Sequence, residues 1–236
     1  MTAVALSVEI DRVMSDARLR ELERRWRETR AVEDEAAYLL GRVRVGDLPN
    51  ERLRLAAYLG HDGARHSIRP VEVPLEPSAW VEAVCALSDE IAVRVALAAS
   101  RWAWRAYESG DDREADDEMA AEALLAIQIA EHWLLSREPQ EFRARLRQGA
   151  WLPPPMVRAV AVATASLGRS VDPSWHTAAP RKVWAARAVQ ALLGASPDRF
   201  ATEPIRSSFA GVTTFDQVRA LLADELLPWA LASEPT

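Results

Sequence analysis

The side chains that could do chemistry are few and scattered. The chain holds four histidines and one cysteine in 236 residues. His61-Asp62 with His66 comes nearest to a metal motif. Histidines five apart on a helix diverge, Gly63 lies between them, and a metal site would need a further His and Asp from elsewhere. The alternative is a polar helix terminus. Glu131-His132 sets an acid beside an imidazole, as a general base requires. A structural histidine at the edge of the core fits the same two residues. Cys85 reads as a small core residue rather than a nucleophile. The acidic run Asp111 to Glu118 lacks the central glycine and alternating ligands of a calcium loop, so it reads as a solvated helix entry. The sequence has no Gly-rich phosphate loop, nucleophile elbow, Cys-x-x-Cys pair or His-Glu-x-x-His pair. These residues therefore imply no cofactor, no metal and no defined catalytic set.

Tryptophan is more informative. The nine are Trp26, Trp80, Trp102, Trp104, Trp133, Trp151, Trp175, Trp184 and Trp229, spread evenly. Most are expected in helix packing, because indole buries a large area. Trp151 and Trp175 sit in Pro-rich irregular segments. Trp102 and Trp104 lie about 200° apart on one helix, so they cannot both face one core stripe. Trp102, Trp104, Trp151 and Trp175 are the candidate interface residues.

Composition narrows the classes. Hydrophobic residues make up 49% and charged residues 27%, which argues for a folded globular chain. The net charge is −6, and acids interleave the arginines. No basic stripe forms, so a nucleic acid is not the expected partner. A single cysteine cannot make an internal disulfide, which points to a reducing, cytoplasmic setting. The weak apolar run Ala3 to Val8 lacks a basic start and meets Asp11 early, so it is a poor signal peptide. No stretch approaches a membrane span.

Helical periodicity accounts for most of the chain. Residues 1–15 are expected to be loosely held, with Ser15 or Asp16 capping the first helix over 16–29. That helix carries a Leu19, Leu22, Trp26 stripe and Glu21/Arg25 and Glu23/Arg27 pairs. A second helix runs from Val32 to Val45 and ends at Gly46; a third covers 51–59 after Asn50 and ends at Gly60. These elements make an N-terminal helical unit over 16–67. Pro70, Pro74 and Pro77 make 68–77 a linker. The domain over 78–236 begins at Ser78 as a cap, with a second cap or kink at Ser88. Its expected centre is residues 115–135, a long apolar helix largely covered by others, with Glu122, Gln128, Glu131 and His132 as its polar half. Further helices are expected over 140–147, 156–167 and 181–193. The last starts at Thr214, with Gln217 in the capping-box position, and stops at Pro228. The fold class is all-α: a short repeat-like N-terminal unit, then a helical bundle or a solenoid of helix pairs.

The run Leu55-Ala56-Ala57-Tyr58-Leu59-Gly60-His61-Asp62-Gly63-Ala64-Arg65 resembles the close of a Sel1-type repeat, with paired alanines, then Gly-His, then another alanine. The block from Leu22 to Arg65 resembles a segment of uncharacterised bacterial proteins. The likeness implies helical packing and protein binding, and carries no catalytic residues. In the C-terminal half, the runs Ala126 to Leu134 and Ala185 to Leu193 resemble Ala-rich all-helical immunity proteins.

The expectation is a non-catalytic helical interaction protein, immunity-like, antitoxin-like or an adaptor. Its acidic surface would meet a basic protein partner. The alternative is an enzyme or small-molecule binder with a pocket near His132. A homodimer through the Trp102/Trp104 helix is a third arrangement.

Overall fold

The computed structural model describes residues 3–68, 73–108, 117–138, 163, 165–172, 180–192 and 214–233. The fold is all-α, and no strand occurs among the described residues. The helices are α1 (Ala3–Thr29), α2 (Val32–Arg44), α3 (Asn50–Tyr58), α4 (Asp62–Ser67), α5 (Pro77–Cys85), α6 (Asp89–Glu108), α7 (Asp117–Ser136), α8 (165–171), α9 (Arg181–Leu192) and α10 (Phe215–Leu231). The chain divides into two units, Met1–Val73 with Leu227–Thr236, and Pro74–Leu226. Chain order alone places 227–236 in the second domain, whereas contacts group those residues with the first unit.

In the first unit α2 packs on both α1 and α4, and α3 packs on α4. Helix α1 does not start at residue 16. It runs unbroken through residues 15 and 16, so no helix starts there. Residues 3–15 contain neither glycine nor proline, so nothing local stops the helix from extending upstream. Glu23 pairs with Arg27 at 2.6 Å, as spacing predicts. Glu21 instead takes Arg24 at 2.6 Å, and Arg25 crosses to Asp34 on α2 at 2.7 Å. The two helices meet closely at Gly41, where a Cβ would lie 3.0 Å from Leu22 Cδ1 and 3.1 Å from Leu19 Cδ1. Gly41→Leu should therefore push α1 off α2 and cost about 1–3 kcal/mol in a urea melt.

Both glycine stops close in the same way. Gly46 has φ +80°, its N–H donates to Val43 O, and the next N–H, of Asp47, reaches back to Arg42 O. Gly60 has φ +99°, with Gly60 N–H to Ala57 O and His61 N–H to Ala56 O. Only glycine takes this left-handed turn without steric cost, which is why these two helix ends were legible. Asn50 is already helical, and Pro49 precedes it without a side-chain cap.

The first unit is completed by the chain's last residues. Pro228 does not stop α10, which continues to Leu231. Proline costs about 3 kcal/mol within a helix through its missing N–H and its clash with the preceding turn. Two buried arginines compensate by donating to the exposed end of that helix. Arg42 Nη1 donates to Leu231 O at 2.6 Å, its Nη2 to Ser233 Oγ at 3.2 Å, and its Nε to Asp47 Oδ2. Arg52 Nη2 donates to the carbonyls of Trp229 and Ala232, and its guanidinium lies 4.7 Å over the Trp229 ring. Positive charge at a helix C-terminus is favoured by the macrodipole as well.

In the second unit the enclosed helix is α6, not α7. It packs on α5, α7 and α9, and Ile91, Ala92, Val93, Val95, Ala96, Leu97, Ala98, Ala99 and Ala103 are all buried. Small residues let three neighbours approach at once, and this outweighs the greater leucine and isoleucine content of α7. Helix α5 starts one residue before Ser78. Pro77 takes the first helical position, where its missing N–H costs nothing, and the Glu76 carboxylate accepts from Ser78 and Ala79 N–H. Those bonds hold the Glu76 carboxyl below the usual range. Ser88 caps α6 by accepting from Ile91 N–H at 3.1 Å. Thr214 and Gln217 form the reciprocal capping box of α10, at 2.7 and 3.3 Å. The small-residue helix does not stop at 167 but continues as α8 to Val171. The expected helix over 140–147 and the irregular segment 195–213 lie outside the described residues.

Candidate functional site

Helix α7 has two faces. Its inner face carries Ala123, Ala126, Ile127, Ile129, Ala130 and Trp133, all buried. Its outer face carries Ala121, Leu124, Leu125, Gln128, His132 and Leu135, all exposed and within an arc of about 100°. Leu124 is 42%, Leu125 49% and Leu135 87% exposed. Between Ala121 and Leu135 no aspartate, glutamate, lysine or arginine lies on that stripe. An apolar helix with an exposed uncharged stripe departs from the usual polar-out pattern of a surface helix. Leu124 is exposed although it shares the apolar half of the helix, because no described helix covers that side of α7.

The polar groups beside that stripe are committed elsewhere. Glu131 turns away from His132 and pairs with Arg101 of α6 at 2.8 Å. Arg101 also holds Glu225 of α10 at 3.0 Å, and Arg105 reaches Glu225 at 3.5 Å. His132 itself is exposed, 4.0 Å from Glu138 through Nε2. The Glu131-His132 pair therefore does not converge on one point, although the residues adjoin in sequence.

Tryptophan turns out to be bound up with arginine. Trp133 lies under two guanidinium groups, Arg137 at 4.9 Å and Arg181 at 4.5 Å. Trp184 likewise has Arg169 at 4.9 Å and Arg187 at 4.7 Å from its ring. Arg181 ties this layer to α6 through Asp89 at 2.7 Å. Of the candidate interface residues, Trp102 and Trp104 are each half-buried on α6, and Trp151 and Trp175 lie outside the described residues. A further repeat emerges at two helix ends. Arg30 and Arg137 both adopt left-handed backbone, with φ 53° and 60°. Each lies over the tryptophan four residues earlier, and each is preceded by a hydroxyl that accepts the next N–H. The two ends share the pattern Trp-x-x-Thr/Ser-Arg in the sequence.

The histidine cluster is a helix terminus. His61 caps α4, its Nδ1 accepting from Ala64 N–H at 3.2 Å, while Nε2 lies 3.7 Å from Glu35. His66 sits in the last turn of the same short helix. Among the described residues no group of three or more His, Cys, Asp or Glu could hold a metal ion.

No family model, curated protein or solved structure matches this chain. No helix among the described residues is long and apolar enough to cross a membrane.

Cys85 is fully enclosed, and burial, with Glu82 a turn before it, pushes its thiol up to about 12. The folded state keeps the proton that the unfolded chain releases above its ordinary value of 9.0. Stability from this group is thus complete below pH 9 and should fall by about 1.4 kcal/mol per unit as pH rises towards 12. A Cys85→Ala variant should show a flatter pH dependence in the same melts.

Proposed function

We propose a non-catalytic helical protein that binds another protein through the outer face of α7. The observation that carries this reading is the uncharged stripe of Leu124, Leu125 and Leu135, exposed on a helix whose opposite face is already packed. Burying an exposed leucine is worth about 1.5–3 kcal/mol, so a partner gains most of its binding from these three. The net charge of −6 favours a partner with a basic surface and would speed the encounter. An immunity-like, antitoxin-like or adaptor role fits such a protein, as do the resemblances of residues 22–65 and of the C-terminal runs. A site for an enzyme or small-molecule binder around His132 is less well supported, because Glu131 is spent on Arg101. Self-association through Trp102 and Trp104 is also less well supported, since both are half-covered while Leu135 stands 87% exposed.

The test is affinity capture from the native cell with the intact chain and with a Leu125→Glu/Leu135→Glu variant. The intact chain should retain a stoichiometric protein that the variant loses, with unchanged helical signal in both. Equal capture by both, or none by either, would remove the proposal. Light scattering of the purified chain reports whether that partner is a second copy.

A further inference from the structure

A second surface, on other helices, has the makings of a ligand site. Helices α5 and α9 pack together, and a groove of about 720 Å³ runs along them. Its floor is small and apolar: Ala79, Ala83 and Ala86 from α5, Val183 and Ala186 from α9. Its polar groups are divided by wall. Glu82 stands on the α5 side, and Lys182 and Arg187 stand on the α9 side. None of the three is ion-paired with another or with any other described carboxylate or cation. The neighbouring Arg181, outside the groove, is instead paired with Asp89 at 2.7 Å. Arg187 also lies over the Trp184 ring, as Arg169 does. That second cation adds to the positive potential of the α9 wall, and Arg169 lies below its ordinary pKa through burial and its neighbour Arg187.

We infer that this groove binds a short apolar peptide with free termini, its ammonium on Glu82 and its carboxylate on Lys182 and Arg187. A single amino acid carries both charges on one carbon, whereas three extended residues set them about 10 Å apart, comparable to the roughly 8–10 Å between packed helix axes. The volume lies within the range of about 300–1,000 Å³ typical of small-ligand clefts, and the lining has their usual make-up of apolar walls with a few placed charges. Leucine-sized side chains suit the alanine floor.

The experiment is calorimetric titration of the intact chain with the tripeptide Ala-Leu-Leu, its N-acetylated form and its C-terminal amide. The free tripeptide should bind saturably, and blocking either end should weaken binding by about 3–10-fold, as for partly exposed charge pairs. Glu82→Gln should erase the penalty of acetylation and leave that of amidation. Lys182→Gln with Arg187→Gln should do the reverse. Ala79→Trp, at an exposed position, should abolish binding of all three while leaving the fold intact. Absence of saturable binding to the solubility limit would overturn the inference. So would equal binding of free and acetylated peptide, since the site would then read an anion alone. The Leu125→Glu/Leu135→Glu variant should bind the peptide normally, which separates this site from the α7 surface.

Discussion

Arg42→Ala should lower the stability of the intact chain by about 2–4 kcal/mol in equilibrium urea unfolding. The guanidinium is 5% exposed and donates to a carboxylate, a helix-terminal carbonyl and a hydroxyl. Its removal leaves Leu231 O without its donor and Asp47 half-paired, since Ser233 Oγ remains at 3.4 Å. Asp47 retains some solvent access, which keeps the cost below that of a wholly buried pair. Arg42→Lys should recover little, because one ammonium cannot make three divergent bonds in a plane. The mechanism makes a stronger statement through a cycle. If Arg42 acts by holding the chain's last residues, then truncation after Leu226 should cost as much or more, and Arg42→Ala in the truncated chain should cost far less than in the full one. Equal effects in both backgrounds would show that Arg42 stabilises through Asp47 alone.

Trp80→Ala should cost about 3–5 kcal/mol, the largest expected loss in the second unit. Trp80 is 0% exposed and meets Phe215 edge to face, with centroids 5.4 Å apart and planes at 79°. Arg219 lies 6.0 Å over its ring and 5.6 Å over that of Phe215. Truncation thus opens a cavity and strips packing from α10 as well. Trp80→Phe should recover much of the loss by keeping the edge contact. Urea midpoints of the two variants, with slopes unchanged, provide the check.

The contrast between these residues measures what could be read from sequence. The all-α class followed from periodicity, and ends marked by a local device were placed well: Gly46, Gly60, Ser88, and Thr214 with Gln217. Ends and faces that depend on distant residues were not. Pro228 reads as a stop until Arg42 and Arg52 are seen to hold the helix beyond it, across separations of 189 and 177 residues. Helix α7 reads as the core because one half of it is apolar throughout and rich in leucine and isoleucine, yet burial was decided by how closely neighbours could approach the alanines of α6. In the sequence, arginine is abundant and the tryptophans read as core or interface residues. In the fold, Trp26, Trp80, Trp133, Trp184 and Trp229 each carry a guanidinium over the ring. One composition explained the other, but only spatial pairing reveals it.

The clamp on α10 also sets an order of events on the ribosome. Arg42 and Arg52 emerge early, whereas the carbonyls they bind, at residues 229–232, are made more than 170 residues later. At about 5–20 residues per second that is a wait of roughly 10–35 s. Throughout it, Arg42 keeps Asp47 but lacks the Leu231 carbonyl, and Arg52 lacks the carbonyls of Trp229 and Ala232, so the opening helices become a finished unit only after translation has passed Ala232.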